Sequence, residues 1–92
     1  MPQMFKVGSY LVFFWTDEHQ PLGPVHVHIA EGRPKRNATK VWISRRGGCL
    51  LCHNRSRIPK PQLKIIMELI EAHSDLITRK WQDCFHEISF YC

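Results

Sequence analysis

Histidine is the first residue to examine for chemistry near neutral pH, because its imidazole changes charge there. Three of the six histidines in this chain fall between residues 18 and 29, in the stretch Glu-His-Gln-Pro-Leu-Gly-Pro-Val-His-Val-His-Ile. Period-two alternation from Val25 to Ala30 predicts a strand with Val25, Val27 and Ile29 on one face and His26 and His28 on the other. At a rise of about 3.3 Å per residue their Cα atoms would stand roughly 7 Å apart. Two imidazoles so placed suit three roles. They could ligate a metal if Glu18 and His19, from the preceding loop, completed the set. They could act as general acid and base. Or they could occupy a half-buried strand and bond to backbone or water.

A second constellation is Cys49-Leu50-Leu51-Cys52-His53, which spells the attachment sequence of c-type haem. Haem attachment needs export, and the start Met-Pro-Gln-Met-Phe-Lys lacks the pattern of a signal peptide. The same absence favours reduced thiols over disulfides for Cys49, Cys52, Cys84 and Cys92. A zinc site would take Cys49, Cys52 and His53 with Cys84 or His86, but the second pair has no regular ligand spacing. The plainer reading makes these cysteines small apolar side chains. No cofactor is therefore expected. Nor does the chain offer a nucleophile elbow, a glycine-rich loop leading into a helix, or a closely spaced carboxylate pair.

Charge distribution points to a partner. The net charge is +5, yet from residue 32 to residue 67 there is no Asp or Glu at all. That window carries Arg33, Lys35, Arg36, Lys40, Arg45, Arg46, Arg55, Arg57, Lys60 and Lys64. Such a block creates a positive field, and an anionic partner follows: RNA, DNA or an acidic protein. Trp42 lies among these cations and would share a strand face with Lys40 and Ser44. An aromatic there can stack on a base while cations meet phosphates. The bland alternative is a solvated basic face with Trp42 packed into the core.

The elements that must hold these residues read as follows. Residues 7–15 are aromatic and branched, a buried strand. Residues 16–24 are a loop, 25–30 a second strand and 31–37 another loop. Residues 38–44 are a third strand with Val41 and Ile43 facing the core. Residues 45–48 form a tight turn, and 49–52 a short fourth strand. From Pro61 to Cys84 apolar residues recur at spacings of three and four, one face of a helix. About 24 residues would make it about 36 Å long, so a break near Ser74-Asp75 is allowed for. Residues 87–92 alternate again, a last strand. The expected fold is α+β: one domain over 1–92, with an antiparallel sheet of three to five strands in the order β-β-β-(β)-α-β. One long amphipathic helix packs on one face of that sheet. No run is long and apolar enough for a membrane span, and a cytoplasmic protein is the default.

Taken together, several segments resemble the bacterial domain of unknown function family 4160. They are the aromatic first strand, Pro24-Val25-His26-Val27-His28-Ile29, Asn37-Ala38-Thr39-Lys40-Val41-Trp42-Ile43, Gly47-Gly48, His53-Asn54, Ile58-Pro59, and Lys80-Trp81 followed by Phe85. The family pattern often sets two prolines directly before the first histidine; here three residues more separate Pro21 from His26. The resemblance implies a small, stand-alone cytoplasmic protein. Its gene would lie beside that of another small protein, in a pair resembling a toxin–antitoxin module. It brings no catalytic residues.

The leading expectation is a basic interaction module that binds the neighbouring gene product, RNA or DNA through residues 33–64. The first alternative is a metal-independent ribonuclease-like toxin, with His26 and His28 as acid–base pair and Arg45 and Arg46 as phosphate clamp. The second is a zinc-stabilised structural domain.

Overall fold

A computed structural model describes residues 3–16 and 23–91 of the chain. The candidate His19, with Glu18, lies outside the described residues. Five strands, β1 (Gln3–Val7), β2 (Tyr10–Phe13), β3 (His26–Glu31), β4 (Thr39–Ile43) and β5 (Cys49–His53), are followed by two helices, α1 (Lys60–Ala72) and α2 (Ser74–Phe85). The strands form one sheet in sequence order, and each pairs antiparallel with the next. The α+β class therefore holds, with all strands ahead of the helices.

Three boundaries differ from those expected. The aromatic run 7–15 is not one strand. It contains a hairpin turn at Gly8-Ser9, where Gly8 takes a φ of 60° that other residues adopt reluctantly. Val7 thus closes β1, a strand not anticipated, and Phe14 and Trp15 lie beyond β2. Nor is there one long helix: the break allowed for near Ser74-Asp75 is present and falls at His73, whose φ of −109° and ψ of 17° leave the helical well. Its side-chain Nδ1–H donates to the Leu69 carbonyl at 2.8 Å, which closes α1. A straight helix of about 36 Å would have overhung a molecule whose longest extent is 33 Å. Finally, residues 87–91 are not a strand. They follow α2 after His86 in the left-handed conformation (φ 61°), and Ser89 offers its carbonyl to the Val25 N–H at 2.9 Å.

Period two decides which side chains meet the helices. Val27, Ile29, Val41 and Ile43 from the sheet, with Val12, Phe14 and Val25, pack against Leu63, Ile66, Ile70, Ile77 and Trp81. Each fully buried branched side chain there contributes about 1.5–3 kcal/mol. A smaller cluster of Leu11, Phe13, Ala30 and Ala38, flanked by Trp15, lies on the other side. No helix among the described residues is long and apolar enough to cross a membrane.

Candidate functional site

The strand register sets the candidate residues in two rows on the face opposite Val27, Ile29, Val41 and Ile43, a face that α2 reaches at His26 through Trp81. One runs Phe13, His28, Lys40, His53 across β2 to β5; the other runs His26, Trp42, Leu50 across β3 to β5. His26 and His28 do share a face, their rings edge to face at 5.0 Å. That face is not open at their positions: His26 is only 3 % exposed and His28 8 %. Trp42 and Trp81 bring their rings within 5.8 and 5.1 Å of His26. Phe13 lies 5.6 Å from His28.

The His26 Nδ1–H donates to the Pro24 carbonyl at 2.9 Å. Burial pushes the pKa of His26 down to about 4; the Pro24 bond works against that shift, and nearby Lys40 adds to it. His26 is therefore neutral at pH 7, and in an acid–base pair it could serve only as the base. His53 is also lowered, by burial first and then by Arg55 and Lys40.

Lys40 and Trp42 are together on β4, the ammonium 4.3 Å from the centre of the indole ring. Tyr91, from the segment after α2, stacks on the same indole at 5.0 Å and 8°. The Arg36 guanidinium covers Trp15 at 4.1 Å. Both indoles that could have received a base are thus already in contact with the protein's own side chains.

Cys92 lies outside the described residues, and the other three cysteines do not converge. The Cys49 thiol donates to the Met67 carbonyl and to a Glu71 carboxylate oxygen, each at 3.5 Å, and is turned toward α1. Burial, then the Glu71 charge, pushes its pKa up to about 12. Cys52 and Cys84 are exposed. Among the described residues no group of three or more His, Cys, Asp or Glu side chains is placed to hold a metal ion, so Cys49, Cys52 and His53 form no such set.

The basic block is contiguous in sequence but divided in space. Arg33, Lys35 and Arg36 lie between the end of β3 and the start of β4. Arg55 and Arg57 follow the end of β5, at the same end of the sheet. Lys35 and Arg55 line a common cleft of about 240 Å³ with Glu31, Asn37 and Ser56. Arg45 and Arg46 sit in the β4–β5 turn at the opposite end. They line a cleft that also holds Glu71 and Asp75, which offset their charge.

The cationic end is held rigidly by three polar residues that the sequence did not single out. Thr39 donates its hydroxyl to the Asn54 carboxamide at 2.7 Å and accepts the Ser56 N–H at 3.1 Å. The Ser56 hydroxyl donates to the Ile29 carbonyl at 3.1 Å and accepts the Thr39 N–H at 3.0 Å. Asn54 also accepts the Ile58 N–H and donates to the Ile58 carbonyl. Residues 54–58 are thereby stitched to β3 and β4, with Arg57 in the left-handed conformation at φ 55°. Arg55 and Arg57 point outward from a fixed backbone. The signal in sequence was the Asn-Arg-Ser-Arg run, whose short polar side chains fold back on nearby backbone.

A family model described as DUF4160, a domain of unknown function, matches residues 9–82. No curated protein matches, and no solved structure does.

Proposed function

The chain belongs to the DUF4160 family of domains of unknown function, and we propose that it is a binding module for an anionic macromolecule. The observation that carries this reading is the gathering of Arg33, Lys35, Arg36, Arg55 and Arg57 at one end of the sheet, the last two on a segment held by the Thr39–Asn54–Ser56 network. Fixed cations lose less side-chain and loop entropy on binding than mobile ones. Recognition would be by charge rather than by base stacking, because Trp15 and Trp42 are already covered. The gene pairing implied by the family resemblance makes an acidic product of a neighbouring gene the first partner to try, with RNA and duplex DNA beside it. The neutral, enclosed His26 favours this reading over the ribonuclease-like one.

Titrating the protein against all three partners at low salt tests the reading. Replacing Lys35 and Arg55 by Glu should weaken binding by about tenfold or more, whereas the same change at Arg45 and Arg46 should do much less. For duplex DNA, log K should fall with log salt by roughly 0.9 per phosphate contacted. No binding to any partner, or equal loss from the two pairs of substitutions, refutes the proposal.

A further inference from the structure

A second surface without an assigned role is the β5 edge. β5 ends the sheet, so its outer side pairs with no strand among the described residues. Edge strands are ordinarily protected by charge, proline or a covering element. β5 reads Cys-Leu-Leu-Cys-His, without charge or proline, and exposes Leu50 by 44 % and Leu51 by 42 %.

Above that edge, α1 presents a stripe of Lys60, Lys64, Met67 and Glu71, which with Leu63 and Glu68 lines a groove of about 370 Å³. The stripe is basic in its first half, acidic in its second and apolar between. A two-fold rotation about its middle reverses one copy against the other. Lys60 then faces Glu71 of the partner subunit, and Lys64 faces the partner's Met67 and the partner's Glu68.

The strand and the helix agree on where that axis lies. The Cys49 thiol contacts Met67 and Glu71, so the start of β5 is level with the end of α1. Leu51 is two residues further on, about 6.6 Å along the strand. That distance corresponds to about four residues back along α1, near residue 65. The centre of the Lys60–Glu71 stripe falls at the same level. One axis therefore serves both elements. It places Leu51 opposite the partner's Leu51, and Leu50 opposite the partner's Cys52.

From this self-complementarity we propose that β5 pairs antiparallel with β5 of a second copy, giving a continuous ten-stranded sheet with the two α1 stripes packed antiparallel above it. The dimer is tested with no anionic partner present, so it stands or falls separately from anion binding.

Sedimentation equilibrium of the whole chain, from about micromolar to millimolar concentration, tests the proposal. A monomer–dimer equilibrium is expected. Leu51→Lys should abolish it while circular dichroism stays unchanged. Lys60→Glu should raise the dimer dissociation constant by about tenfold, since two symmetric pairs are lost. Adding Glu71→Lys to that variant should restore it. A monomer at every concentration overturns the proposal. So does a folded Leu51→Lys variant that still dimerises, or a double swap no tighter than the single reversal.

Discussion

Replacing His26 by Asn gives the sharpest test of the enclosed histidine pair. In the unfolded chain its ring takes up a proton as pH falls through 6.5, whereas in the folded protein it does so only near 4. Between those values the unfolded state holds the extra proton. The stability that His26 contributes by staying neutral is complete above about pH 6.5 and is lost as pH falls toward 4. The full difference is about 3 kcal/mol, and most of it is gone by pH 4.5. For a chain of this size that corresponds to a fall in Tm of roughly 10–20 °C. Asn keeps an N–H near the position of Nδ1 to donate to the Pro24 carbonyl, but it does not titrate. Urea denaturation of both proteins at pH 7, 5.5 and 4.5 isolates the effect, because other titrating groups cancel in the difference. The wild type should lose about 2–3 kcal/mol more than the variant between pH 7 and 4.5. Parallel curves for the two proteins, or an NMR titration placing the His26 pKa near 6.5, would refute the reasoning.

Two further tests bear on the loops and the thiols. Thr39→Val removes the acceptor of the Ser56 N–H and the donor to Asn54 from a fully buried position, and should cost about 1–3 kcal/mol by urea denaturation; a loss below about half a kcal/mol would mean that the loop is not held as described. Cys49, with its pKa pushed up to about 12, should be alkylated by iodoacetamide at pH 8 far more slowly than the exposed Cys52 and Cys84; mass spectrometry showing equal rates would contradict its contact with Glu71.

Local pattern carried much of this fold. Alternation alone placed His26, His28, Lys40 and Trp42 opposite Val27, Ile29, Val41 and Ile43, as the register shows. It did not show that His26 is enclosed, because the rings that cover it come from β4 and from α2, far along the chain. The turn at Gly8-Ser9 was hidden inside an aromatic run that continues on both sides of it. The alternation of residues 87–91 reflects Ile88 and Phe90 packing on the core from an irregular segment rather than a sheet ladder. The basic block misled for a related reason. Neighbours along a meander alternate between the two ends of the sheet, so Arg45 and Arg46 separate from Lys35 and Arg55 although only a few residues intervene.

The contacts of the three tryptophans have an optical consequence. Trp81 is fully enclosed in the main core, Trp42 lies under Tyr91, and Trp15 lies under Arg36. Each indole therefore reports on a different part of the molecule: the packing of α2, the docking of the segment after it, and the loop that carries the first basic cluster. Variants retaining one tryptophan at a time would have emission spectra that follow three separate events. The protein thus carries its own fluorescent probes for telling loss of the core from release of its last residues.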